Sequence, residues 1–493
     1  MTPPVHSVAV ETLANSISVK SRIRQWLAPA ILAVTDYIMV VSAFLIALFL
    51  RTNVIPRYVH GLQAFTIEEN WLLVLIPFIY LGFLAYERLY TKRLPFWQSA
   101  EAIFKVCIYA TAFTVVLMYL AGEIRHVSRI FIAIGCALSY LYLLVGRYLI
   151  KRLLVTIGLW EKPVIIIGAG KTAELLAKAF EDEPNMGYKI VGLIEDNYVQ
   201  RKLIQRYPLL GNFANAEKTV AYNGIRDVII AAPGIDREDL LQLIYKIQPL
   251  VDNVSIVPNL FGVPMGNMEA EVFLNQNTVL LHMRNNMSSV TNKILKRCFD
   301  VSLSIIGLIF ITPILLVIAL LIYLDSPGPL IFAHKRVGKN GQPFYCYKFR
   351  SMIMNSQEVL EDHLQQNPAA RAEWEQDFKL RDDPRITKLG KFIRKTSIDE
   401  LPQLFNVIKG EMSLVGPRPI IHKEIPKYGE YINDYCLTHP GITGYWQVSG
   451  RNDVDYDSRV RMDSWYVRNW SVWLDIVLLI KTVNVVLARK GAY

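Results

Sequence analysis

Charge is scarce in this chain: Asp, Glu, Lys and Arg make up 19% of 493 residues, against 52% hydrophobic. A soluble core cannot take up that much apolar surface, which excludes an ordinary soluble enzyme. Cysteine is scarce too. Cys107, Cys136, Cys298, Cys346 and Cys436 are odd in number, scattered, and never in C-x-x-C spacing. That pattern excludes a disulfide framework or a zinc site and suits reduced thiols facing a cytoplasm. A signal-peptide pattern is missing, since residues 1–25 are polar and the apolar run behind them is too long for one. A complete P-loop is missing as well: "GAGKT" ends like one, but Ile165 stands where the motif needs glycine. Tyr198 and Lys202 have the spacing of a short-chain dehydrogenase pair, yet they follow Gly170 too early to serve as one.

The formal net charge of +10 does not point to nucleic acid. Basic residues in the first 160 positions flank apolar runs, which is a membrane signature. Four runs have spanning length: Trp26 to Leu50, Trp71 to Tyr90, Ala102 to Leu120 and Ile130 to Ile150. Lys20, Arg22 and Arg24, then Arg88, Lys92 and Arg93, then Arg147, Lys151 and Arg152 fall on one side, so both ends of this 26–150 bundle are expected in the cytoplasm. Asp36, inside the first run, has no partner visible in the sequence.

From about residue 160 to 285 the pattern changes to β-branched runs alternating with helical periods, as in a Rossmann-like parallel α/β domain. "KPVIIIGAGKTAELLAKAF" supplies a strand, a glycine turn and a helix. Gly168, Gly170 and Ala173 form a G-x-G-x-x-A fingerprint that could hold a nucleotide, with Glu195 and Asp196 ending the next strand. "DVIIAAP" and "NVSIVPN" continue the strands.

Residues 301–324, "VSLSIIGLIFITPILLVIALLIYL", are long enough to span, at about 36 Å. Both flanks are basic, however, and Thr312–Pro313 stands mid-run, where proline removes a backbone donor. A re-entrant helix-break-helix is expected, leaving the remainder on the cytoplasmic side.

"TSIDELPQLFNVIKGEMSLVGPRP", Thr396 to Pro419, places Asp399 and Glu400 at a helix start. With Asp399 as N-cap, Pro402 falls in the first turn and Leu401, Leu404, Phe405 and Ile408 form an apolar stripe ending at Gly410. Two readings stand: plain capping, or carboxylates poised where anions and metals are favoured.

"KRCFDVSLSIIGLIFITPILL", "SPGPLIFAHKRVGKNG", "CYKFRSM", "RKTSIDELPQLFNVIKGEMSLVGPRP" and "HPGITGYWQVSGR" resemble, in order, motifs of the bacterial monotopic phosphoglycosyl transferases, or polyprenyl-phosphate hexose-1-phosphate transferases. The resemblance covers residues 290–493, and the domains in front are similar to those of the long-chain members. Further segments are most similar to members that transfer galactose phosphate at the start of O-antigen synthesis.

The resemblance implies transfer of hexose-1-phosphate from a UDP-hexose to undecaprenyl phosphate, releasing UMP, with Mg2+, in an inner membrane. It implies Asp399 as nucleophile, Glu400 with Asp399 as metal ligands, Arg394, Arg418 and Arg350 as phosphate or nucleotide contacts, and Thr312–Pro313 as the helix break. The expected architecture is a four-helix transmembrane bundle, a Rossmann-like domain, and a mainly helical catalytic domain anchored by the re-entrant helix and interfacial amphipathic helices. Trp465, Trp470 and Trp473 suit such an interface, though core packing explains them as well. A homodimer is suggested by the extra domains alone. Residues 355–384 read as a solvated face or flap. A membrane NAD-dependent dehydratase or epimerase, and a non-enzymatic assembly scaffold, share the layout and are the rival classes.

Overall fold

In a bilayer each apolar run must satisfy its own backbone hydrogen bonds, so runs of this composition become helices. The computed structural model describes residues 6–60, 62, 67–123, 128–197, 201–258, 268–273, 278–283, 285–377, 380, 383–449 and 454–487. The chain divides into two units, one ending at Leu260 and the other beginning at Phe261.

The first unit opens with helices α1 (His6–Phe49), α2 (Ile76–Tyr86), α3 (Phe96–Leu120) and α4 (Arg129–Thr156). Three segments here have spanning length, Trp26–Arg57, Phe96–Leu120 and Arg129–Thr156. The second expected span is shorter than its sequence suggested. Its apolar helix stops at Tyr86, giving about 24 Å at 1.5 Å per residue. Arg88 then adopts a left-handed φ of +56° and turns the chain, so the apolar residues up to Tyr90 do not extend the helix.

Asp36 has a partner after all. Its carboxylate, fully buried, lies 3.2 Å from the guanidinium of Arg147, which is 3% exposed. Arg147 also donates to the Leu89 carbonyl at 2.7 Å and lies over the Tyr90 ring. Arg147 was counted above among the flanking cations, but it serves inside the bundle. Lys151 is likewise buried, against the Trp160 ring. Arg93 donates to the carbonyls of Trp160 and Met186, tying the bundle to the domain that follows.

That domain is a parallel sheet of β1 (Lys162–Ile167), β2 (Tyr188–Ile194), β3 (Leu209–Gly211), β4 (Asp227–Ile230) and β5 (Asn253–Ile256), in the order β3-β2-β1-β4-β5. This is the doubly wound arrangement expected of alternating strands and helices, here α5 (Lys171–Asp182), α6 (Ala216–Asn223) and α7 (Arg237–Ile247). Val164 to Ile167 of the central strand are all buried, so four consecutive apolar residues are needed there. The parallel sheet ends at Ile256. Residues 268–283 contribute an antiparallel pair, β6 (Met268–Phe273) and β7 (Thr278–Met283), in the second unit.

The second unit begins its helices with α8 (Val290–Asp325), which carries Pro313 inside it. The expected break at Thr312–Pro313 does not interrupt this helix. Proline removes one bond, to the carbonyl four residues back, while the Thr312 hydroxyl donates to Leu308 at 2.6 Å and the neighbouring turns continue. At its polar end Lys296 is buried between Asp475 at 2.7 Å and Asp300 at 3.5 Å. Asp475 also accepts from the Tyr466 hydroxyl and the Trp470 indole, and Asp300 accepts from Ser413. Trp470 is thereby a core residue, 1% exposed, and not an interfacial anchor; Trp465 keeps an exposed edge. The network joins α8 to the helices Tyr456–Arg468 and Val472–Leu487 and to the segment leading to Arg418.

Removing one partner of a buried ion pair strands the other charge, at about 3–5 kcal/mol. Arg147→Met is expected to lower the thermal unfolding midpoint of the detergent-purified protein. Adding Asp36→Leu should restore part of that loss, read by the same melting curves.

Candidate active site

The site is assembled on a two-stranded antiparallel hairpin, β8 (Ile331–Val337) with β9 (Pro343–Phe349). Strand alternation puts every second residue on one face, and the register pairs His334 with Cys346 and Phe332 with Lys348. His334, Arg336, Cys346 and Lys348 therefore line the same cleft, a cavity of about 910 Å³. Helices α9 (Ser356–Gln366) and α10 (Pro368–Asp377), the segment read as a flap, lie beside it: Ser356 and Gln357 border the cleft. Arg385 does too, held by Asp383 through paired bonds of 2.8 and 2.6 Å and stacked on Trp374.

Helix α11 (Lys388–Lys395) is capped by Thr387, whose hydroxyl accepts from the Gly390 N–H at 2.9 Å. Gly390 packs so tightly on residue 351 that a Cβ would fall 2.0 Å from the Ser351 carbonyl oxygen. This close approach lets Arg394, in the last turn, donate from Nε to Ser351 Oγ at 2.8 Å while lining the cleft.

Beyond α11 the local structure departs from the sequence expectation. Ser397 takes a left-handed φ of +57° and caps nothing with its side chain. A single 3-10 turn, Ile398–Glu400, carries the two carboxylates, and α12 (Gln403–Lys409) starts only after Pro402. Shifting the helix start moves its buried face. Leu404 and Val407 go inward with Gln403 and Asn406, whereas Phe405, expected in the apolar stripe, is 51% exposed. Asn406 explains why a polar residue belongs there: its amide donates to the Tyr345 carbonyl and to Glu411, and its oxygen accepts from Tyr347 N–H. It locks α12 onto β9, beside the carboxylates. Gly410 ends the helix with φ +87°, as its place in the sequence implied.

Glu400 accepts from Lys348 Nζ at 2.6 Å. Asp399 lines the same cleft, largely buried, and its pKa is raised to about 6, chiefly by desolvation and then by the charge of Glu400; Lys348 and Arg394 pull it back. It does not enjoy the low pKa that a helix N-terminus would have given. Arg418 reaches the cleft from a loop fixed by β10 (Ser413–Val415) and β11 (Gly441–Thr443), whose backbones meet at Gly416 and Gly441 without room for a Cβ. Its guanidinium faces the Trp446 ring at 5.7 Å. Arg350 also borders the cleft, but two of its nitrogens are engaged with the Ser326 carbonyl and the Met354 sulfur.

The structure thus brings together Asp399, Glu400, Arg394, Arg418 and Arg350. Thr312 and Pro313 sit within α8, outside the residues lining the cleft. Gly168, Gly170 and Ala173 belong to the other unit. There Gly168 has φ +104° and no space for a side chain, while the Ala169 N–H is taken by the buried Glu195 carboxylate at 2.7 Å. Lys348, Arg336, Arg385 and Trp446 were not singled out from sequence. The alternation in "IFAHKRV" and "FYCYKF" carried the signal for the first two, but only pairing the strands shows that the two faces coincide.

Among the described residues, six cations, Arg336, Lys348, Arg350, Arg385, Arg394 and Arg418, line the cleft against two carboxylates. That balance suits a polyanionic ligand. Among the described residues no group of three or more His, Cys, Asp or Glu is placed to hold a metal. Asp399 and Glu400 nevertheless fit Mg2+, which commonly takes one or two carboxylates and completes its shell with substrate phosphates and water. Their mutual repulsion is the observation that favours a cation between them.

A family model described as bacterial sugar transferase matches residues 291–489, and one described as CoA-binding domain matches residues 81–258. An "Uncharacterized sugar transferase" of Haemophilus influenzae is 38% identical over 96% of this chain and 99% of its own length. The "Undecaprenyl-phosphate galactose phosphotransferase" of Salmonella typhimurium is 42% identical over 82% of this chain and 84% of its own. The "UDP-glucose:undecaprenyl-phosphate glucose-1-phosphate transferase" of Escherichia coli is 33% identical over 68% and 70% respectively.

Carbodiimide labels protonated carboxyl groups. Modification of Asp399, read by peptide mass spectrometry, is expected to rise as pH falls through about 6. In Lys348→Met, which removes a cation that favours the charged form, the same rise should occur at higher pH.

Proposed function

The chain belongs to the bacterial sugar transferases, as a phosphoglycosyl transferase of the polyprenyl-phosphate hexose-1-phosphate type, and we propose that it moves galactose-1-phosphate from UDP-galactose to undecaprenyl phosphate. The observation that carries this reading is a largely buried carboxylate, Asp399, set among six cations in a cleft open to a polyanion. Galactose is preferred over glucose because the relative named for galactose has the higher identity over the longer share of the chain.

An oxygen of ionised Asp399 attacks the β-phosphorus of the UDP-sugar. The bond from that phosphorus to the bridging oxygen breaks, UMP leaves with the electron pair, and an aspartyl acyl phosphate carrying the sugar remains. A phosphate oxygen of undecaprenyl phosphate then attacks the same phosphorus, and the bond to Asp399 breaks to restore the carboxylate. No proton need move, so the site requires charge compensation more than a strong base. Arg394 and Arg418 are suited to it because a guanidinium fork meets two phosphate oxygens at once. Arg418 stands between Pro417 and Pro419, whose fixed φ angles limit the backbone freedom lost in aiming it. Lys348 holds Glu400 and stabilises the ionised form of Asp399.

Mg2+, held by Glu400 and Asp399, would add positive charge against the diphosphate. Raising the Asp399 pKa to about 6 also makes it a better nucleophile than an ordinary aspartate while leaving it mostly ionised at neutral pH. We place the protein in the inner membrane with both units' soluble parts, and both ends of the continuous α8, on the cytoplasmic side. This rests on the basic flanks at both ends of α8 and on the availability of nucleotide sugars there.

Purified protein given Mg2+, UDP-galactose and undecaprenyl phosphate should release UMP, and Asp399→Asn should reduce release by at least about 10³-fold, the scale for losing a covalent nucleophile. Unchanged release in Asp399→Asn discards the mechanism; faster release from UDP-glucose discards the choice of sugar. The kcat/KM profile should fall on the acid side, at or below about pH 6, because only the ionised carboxylate attacks and bound Mg2+ favours that form. Chelating divalent metal with EDTA should abolish release, and Mg2+ should restore it.

A further inference from the structure

A second cavity of the same unit, about 330 Å³, shares no lining residue with the active-site cleft. Its floor is apolar, built from Met287, Val290, Ile294, Met412 and Leu437. Among the described residues, four cations line it, Lys293, Lys296, Arg297 and Lys339, against one carboxylate, Asp300. That carboxylate is committed to Lys296 and Ser413. Arg297 donates to the neutral carbonyls of Val407 and Ile408. Among the described residues no acidic side chain lies within 4 Å of Lys293, Arg297 or Lys339. Among the described residues Lys293, Arg297 and Lys339 thus gather like charge that a visiting anion would offset. Burial and the charge of Lys293 lower the Lys339 pKa; burial, Lys339, Arg297 and Lys296 push His439 down to about 4, so His439 adds no charge of its own.

The apolar floor decides what kind of anion. A free phosphate or nucleotide has no use for methionine, valine and leucine side chains, whereas a headgroup phosphate attached to acyl chains satisfies both halves of the cavity. The exposed side chains of Val290, Ile294 and Leu295 continue along α8 toward Leu303, Ile305 and Ile306, also exposed, giving a chain a path from the cavity along the apolar helix. The reacting acceptor phosphate must reach Asp399, so an occupant of this separate cavity is a bystander to the chemistry.

We propose that this cavity binds one anionic glycerophospholipid of the host membrane, its phosphate between Lys293 and Lys339 and an acyl chain on the floor formed by Val290, Ile294 and Leu437. The site is a fixed lipid contact at the polar end of α8. It also touches the reaction's scaffold, because Arg297 on its rim holds the C-terminal carbonyls of α12.

Full-length protein in detergent, titrated with phosphatidylglycerol and read by native mass spectrometry, tests this. Wild type should take up one tightly held lipid. Lys293→Gln with Lys339→Gln should weaken that binding at least tenfold, while Lys423→Gln with Lys218→Gln, an equal loss of charge elsewhere, should leave it unchanged. Val290→Trp, which fills the floor and keeps every cation, should also lose the lipid, and each variant's melting temperature reports folding. Equal binding by the pocket and control variants would overturn the proposal. So would displacement of the lipid by inorganic phosphate, which would indicate a free-anion site, or displacement by undecaprenyl phosphate at equal concentration, which would indicate an acceptor site.

Discussion

Two carboxylates on consecutive residues, one of them largely buried, repel each other, and the cleft is organised around relieving that repulsion. Lys348 takes Glu400 at 2.6 Å, Arg394 lies close enough to favour the charged form of Asp399, and Arg418 lines the same cleft. Desolvation, and after it the charge of Glu400, leave Asp399 with a pKa of about 6, between an inert aspartate and a protonated one. Positive charge is in excess among the described residues lining the cleft, a balance that suits a polyanionic ligand. Neither carboxylate caps α12, which starts only after Pro402, so the capping that the sequence allowed is not made.

The supporting parts serve that balance by fixing backbone. Gly390 against residue 351, Gly416 against Gly441, and the Asn406 amide across to β9 each hold a segment that carries a charged side chain. The buried Lys296–Asp475–Tyr466 and Asp300–Ser413 contacts hold the strand before Arg418 against α8. Such networks are stabilising only when every member is satisfied, and here each named group has a partner. Residues far from the cleft thereby help set the position of the charged groups that line it.

Much of this was legible in the sequence, because long periodic patterns fix secondary structure locally. The strands of the α/β domain followed from β-branched runs, and Gly410 marked a helix end. Residues 396–410 were harder. Pro402 fits a first turn in more than one register, and nothing local announced the left-handed Ser397 that delays α12 and turns Phe405 outward. The proline in α8 costs one hydrogen bond, which does not end a helix whose neighbouring turns are intact. Partners distant in the chain were invisible. Asp36 and Arg147 are 111 positions apart, Lys348 and Glu400 are 52, and only the folded chain brings them together.

The central claim is that the Asp399 carboxylate itself becomes bonded to the sugar phosphate. Protein mixed with Mg2+ and UDP-galactose in the absence of undecaprenyl phosphate, quenched and measured by intact mass and then by peptide sequencing, should gain one hexose phosphate located on Asp399, and should lose it when the acceptor is added. An adduct on another side chain, or none while UMP is being released, contradicts the account.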